Sequence, residues 1–79
     1  MGKSISFQDV FLNTLRKERV LSTIFTVNGF QIKKARILGF DTYVVVVESE
    51  GKQMLLYKHA LSSIEPEKPI KLTGEVKEE

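Results

Sequence analysis

Seventy-nine residues allow one small domain, and a hydrophobic share of 42% is that of a globular chain rather than a disordered one. Cysteine is absent and histidine occurs once, which excludes disulfides, thiolate zinc sites and a thiol nucleophile; no apolar run nears the roughly 18–20 residues of a membrane span, and no secretory signal opens the chain. The net charge of +2 is uneven: residues 1–64 carry nine Lys/Arg and five Asp/Glu (+4), residues 65–79 three Lys and five Glu (−2), so a basic body suited to an anionic partner precedes an acidic tail.

The first element reads as a helix over about residues 7–18. Phe7, Val10, Phe11 and Leu15 recur at i, i+3, i+4 and i+8, which sets them on one face. Ser6 is placed to cap it, with Asp9 at the capping-box spacing and Ile5 opposite Val10 as a hydrophobic staple. Arg16, Lys17 and Arg19 close the last turn, where cations suit the helix dipole.

Strands follow. Val20 to Asn28 is rich in β-branched residues and ends at Asn28-Gly29, a hairpin signal. In Phe30 to Leu38, Phe30 and Ile32 share one parity while Ala35 and Ile37 share the other, so one extra residue near Lys33–Ala35 predicts a β-bulge. Gly39-Phe40-Asp41 reads as a turn. Tyr43 to Glu48 contains four consecutive valines and predicts a strand buried on both faces. Gln53 to Tyr57 makes a fourth strand, Lys58-His59-Ala60 a short connection, and Leu61 to Ile64 a fifth strand, after which Pro66 and Pro69 break the pattern. The expected domain is residues 1–66, followed by a short acidic, disordered tail over 67–79.

One helix and five short strands predict a mainly β fold, a small, strongly bent antiparallel barrel. Its open edges are hazardous, and a core this small needs support; pairing edges with identical copies in a ring answers both. Chemistry for catalysis is missing. No Ser-His-acid grouping or metal-ligand spacing is present, and Gly29 and Gly39 sit in turns rather than in a phosphate-cradling loop, so the chain is read as a non-enzyme with no metal or cofactor. Lys58 and His59 in a tight turn offer donors to a base edge or phosphate, and Tyr43 offers a stacking surface; read singly, each also suits a solvated turn or a packed core.

Together the residues point further. Gln8-Asp9-Val10-Phe11-Leu12-Asn13, Asn28-Gly29-Phe30, Phe40-Asp41 and Tyr57-Lys58-His59-Ala60 resemble, in order and nearly in spacing, the Hfq family of bacterial Sm-like RNA chaperones, over about residues 5–66. The resemblance implies an Sm-like fold, an N-terminal helix on a five-stranded bent sheet, assembled as a homohexameric ring in the cytoplasm. It implies binding of small regulatory RNAs and mRNAs, promotion of their pairing, and no cofactor. On the helix-bearing (proximal) face, the family's uridine pocket maps to Gln8, Tyr43, Lys58 and His59, shared between adjacent subunits. On the opposite (distal) face, the adenine-binding surface maps to Phe25, Asn28, Gly29, Phe30, Gln31, Ile32 and Ser63. On the rim, Asn13, Arg16, Lys17 and Arg19 match the basic patch linked to annealing.

Two departures stand out. Lys33-Lys34-Ala35 replaces the family's glycine and adds a residue, which implies altered distal geometry beyond Ile32. Met54 stands where a polar residue often reads adenine, and the role is not carried to Gln53. The alternative is an Sm-like oligomeric protein-interaction or structural module without annealing activity; its mark would be loss of Lys58, His59 and Tyr43, and all three are present.

Overall fold

Residues 6–72 are described by a computed structural model. Helix α1 spans Phe7–Glu18. Ser6 caps it, its hydroxyl accepting from the Asp9 N–H at 3.2 Å. The end is closed by Arg19 in the left-handed region (φ 56°), with the Val20 N–H reaching back to the Leu15 carbonyl at 3.1 Å. The staple expected from Ile5 lies outside the described residues.

The buried side of α1 differs from the predicted stripe. Leu12 and Leu15 are buried, Val10 and Phe11 are half-buried, and Phe7 is 63% exposed. The helix packs chiefly on one strand, β2, and its first turn borders an open pocket, which leaves Phe7 exposed.

Five strands follow: β1 Ser22–Thr26, β2 Gln31–Phe40, β3 Val44–Ser49, β4 Lys52–Tyr57 and β5 Leu61–Pro66, with Lys58–Ala60 forming a 3₁₀ turn. They make one antiparallel sheet in the order β4-β3-β2-β1-β5. β4 and β5 do not pair with each other, so the sheet stays open with one edge at each.

β2 is the long strand that joins the two halves, and it bends where it carries extra residues. Ser22 faces Ala35 but Ile24 faces Ile32, so β2 uses three steps against two on β1. The extra residue lies at Lys33–Lys34, with Lys34 at φ 53°, and this is the bulge predicted from the parity break. A second irregularity at Leu38 lies between the pairs Ile37–Val47 and Gly39–Val46, and a third at Ser62 in β5; neither has a parity break in the sequence. Gly39 and Phe40 belong to β2 rather than to a turn, because both pair with β3, and the turn falls at residues 41–43.

The core consists of Leu12, Leu15, Val20, Ile24, Ala35, Ile37, Val45 and Val47. β3 is not buried on both faces as its valine run predicts. Val45 and Val47 are fully buried, whereas Val44 and Val46 are half-buried, because α1 covers only one side of the sheet. β5 runs two residues beyond its predicted end: Pro66 pairs with Ser22, which an edge strand tolerates at its end. Past the expected domain boundary at 66, the Glu67 N–H bonds the Leu21 carbonyl and Ile70 packs against the core. The tail expectation for residues 73–79 lies outside the described residues. Among the described residues, no helix is long and apolar enough to cross a membrane.

Candidate nucleic-acid interface

The β3–β4 half of the sheet and the first turn of α1 bring together three of the four proximal candidates. The Lys58 N–H donates to the Tyr43 carbonyl at 2.8 Å, which ties the 3₁₀ turn to the start of β3. Gln8 and Lys58 line one open pocket of about 400 Å³ with Phe7, Phe11 and Leu61. Tyr43 is 74% exposed, so its ring is free to stack. His59 is exposed too, and its ring stacks on Tyr57 with centroids 5.9 Å apart and planes 23° from parallel.

Neighbours outside the predicted set hold these groups in place. Lys58 Nζ sits 5.4 Å from the centre of the Phe40 ring and 3.8 Å from the Asp9 carboxylate. This long side chain is thereby aimed by a π face and an anion. Asp41 Oδ1 accepts from the Tyr43 N–H at 2.8 Å and the Val44 N–H at 2.9 Å, which fixes the turn that presents Tyr43. Those two bonds, aided by the charge of Lys58, hold the Asp41 carboxyl below its ordinary range. Phe40 and Asp41 stood in the sequence as a motif, but their support of Lys58 and Tyr43 needs the turn geometry to be seen.

On the other half, the hairpin turn falls at Asn28-Gly29 as predicted. Thr26 Oγ1 donates to Asn28 Oδ1 at 2.7 Å and accepts from the Phe30 N–H at 2.9 Å. Gly29 adopts φ 94°, which favours glycine, and open space surrounds its Cα. Phe30, 67% exposed, stands at the tip. Gln31, Phe25 and Ser63 form one row across β2, β1 and β5. Ile32 is placed differently: it opposes buried Ile24 and packs against the core, so it supports this surface from beneath. Ser63 also lines the Gln8–Lys58 pocket, since β5 is an edge strand reachable from both faces. Met54 packs against the core and Gln53 is exposed.

At the end of α1, Arg16, Lys17 and Arg19 are exposed, and Arg16 Nη2 donates to Asn13 Oδ1 at 2.6 Å. All four rim candidates therefore share one stretch of surface.

Comparison with known proteins decides the family. The model of the Hfq protein family matches residues 7–71. The chain belongs to the Hfq family. An RNA-binding protein Hfq from Alkaliphilus oremlandii is 49% identical over 77 residues, covering 98% of this chain and 95% of that protein. One from Clostridium perfringens is 56% identical over 71 residues, covering 89% and 88%. A crystal structure of the pleiotropic translational regulator Hfq superposes with a TM-score of 0.73 at 42% identity, covering 76% of this chain and 98% of that one. The helix and the open five-stranded sheet are thus the Sm-like fold of Hfq, a family of RNA-binding chaperones and not of enzymes.

Proposed function

We propose that this Hfq-family chain is an RNA chaperone that binds single-stranded segments of small regulatory RNAs and mRNAs and promotes their pairing. Uridine-rich segments bind the proximal set Gln8, Tyr43, Lys58 and His59. Adenine-rich segments bind the distal set Phe25, Asn28, Gly29, Phe30, Gln31 and Ser63, with Ile32 supporting that surface from the core side. Asn13, Arg16, Lys17 and Arg19 on the rim screen phosphate repulsion while strands pair. The observation that carries this reading is the separation of two exposed aromatic groups, each beside hydrogen-bonding partners. Tyr43 is anchored to Lys58 near the helix, and Phe30 tips a hairpin whose strands align Phe25 with Gln31. Unpaired bases are gripped by stacking and edge hydrogen bonds, which suits such groups.

The active form is a homohexamer. Both sheet edges are open, and the β4 edge carries Leu55 and Tyr57 at 55% and 57% exposure, an apolar strand that invites pairing with β5 of the next copy. The full uridine pocket is then completed between neighbours, and the cytoplasm is the setting in which such a chaperone meets its RNAs.

Titration of short uridine-rich and adenine-rich oligonucleotides tests the two surfaces. Tyr43→Ala is expected to weaken the uridine-rich ligand about tenfold or more and spare the other, at ~1–3 kcal/mol for each stacked base. Phe30→Ala is expected to do the reverse. Equal damage to both ligands from both variants would refute the two-surface assignment.

A further inference from the structure

The end of α1 borders a second concavity, apart from the Gln8–Lys58 pocket. It measures about 380 Å³ and is lined by Arg16, Arg19, Arg36, Ile37 and Leu38. Three arginines therefore line one cleft from two elements, the helix end and β2. Two of them are steadied by neighbours. Arg16 Nη2 donates to Asn13 at 2.6 Å, and Arg36 Nη2 pairs with Glu48 Oε1 at 2.7 Å. A guanidinium has five N–H donors in a rigid fork, so each keeps donors for a further acceptor.

The β2 bulge is what presents Arg36. Ala35 and Ile37 are both buried, so Arg36 between them turns outward. If the extra residue at Lys33–Lys34 were not bulged out, strict alternation from core-facing Ile32 would turn Arg36 inward; the bulge absorbs it and keeps Ala35 and Ile37 on the core side.

We infer that Arg36 joins Arg16 and Arg19 in a binding site for RNA backbone phosphate, with Glu48 both orienting Arg36 and offsetting its charge. The inference rests on the RNA-chaperone reading. Among the described residues, no aromatic side chain lines the cleft, so the site meets phosphate and is blind to base identity.

The test uses the full chain, two complementary labelled RNAs for annealing, and short uridine-rich and adenine-rich oligonucleotides as controls. Arg36→Gln is expected to slow annealing about three- to tenfold and to lower the salt slope of long-RNA binding by about 0.7 for each phosphate no longer neutralised. Binding of both short controls stays within about twofold, because the rim lies away from the base-reading surfaces. Glu48→Gln, which keeps an acceptor to orient Arg36 but removes the opposing charge, is expected to speed annealing. An active wild type with an equally fast Arg36→Gln variant overturns the inference alone. A wild type that binds no RNA overturns the reading beneath it. If Arg36→Gln fails to fold, Glu48→Gln decides, and annealing no faster than the wild type overturns the inference.

Discussion

Asp41 shows how much one side chain controls. Its carboxylate accepts two backbone N–H groups in the turn that sets Tyr43, and its pKa is lowered by those bonds and by Lys58. A carboxyl whose folded pKa is depressed contributes stability that is complete above the unfolded value of 3.8 and fades as pH falls through the lower folded value. Well above pH 3.8 this contribution is therefore constant, and it is lost below. Asp41→Asn is expected to flatten that part of the acid limb in pH-dependent urea unfolding, and at neutral pH to weaken uridine-rich binding by loosening Tyr43. An unchanged acid limb would remove Asp41 from the account. Lys58 and His59 stood out as candidates in the run Tyr57-Lys58-His59-Ala60. Asp41's part did not, because an Asx turn depends on which N–H groups the chain folds back to its oxygen.

Among the elements, β2 is the strand on which the fold turns. It is shared by both halves of the sheet and bears the bulge with Lys34 in the left-handed region. A side chain there costs ~1–2 kcal/mol, whereas glycine loses ~0.5–1 kcal/mol more chain entropy on folding. Lys34→Gly is therefore expected to raise stability by about 0.5 kcal/mol in urea unfolding; a loss would mean that the lysine side chain itself holds the bulge. Opposite the bulge, the Ser22 hydroxyl is fully buried with no hydrogen-bond partner among the described residues. Ser22→Ala removes that cost and is expected to gain up to about 1 kcal/mol. The Lys33–Ala35 bulge was readable because two hydrophobic pairs changed parity around it. Leu38 and Ser62 lie where no such pair brackets them, so their irregularities left no mark. The helix stripe was misplaced toward Phe7 for a related reason: periodicity marks the apolar side but not which turn borders an open pocket.

For the whole molecule, charge and edges belong to one account. A +4 body repeated six times would place about +24 around a pore and rim, a concentration of charge that no single copy has. Binding of long RNA is expected to weaken about tenfold or more between roughly 50 and 200 mM salt, as counterions released from several phosphates compete. A flat salt profile would remove the electrostatic part of the account. The sheet and its two open edges were legible from strand count and spacing, whereas the side of β3 left half-covered depends on where a single helix packs. The measurement that bears most directly on the central claim is native mass spectrometry of the full chain with one uridine-rich and one adenine-rich oligonucleotide together. The account predicts a particle of six 9.0 kDa chains, about 54 kDa, carrying both ligands at once. A monomer, or a ring on which either oligonucleotide displaces the other, would contradict it.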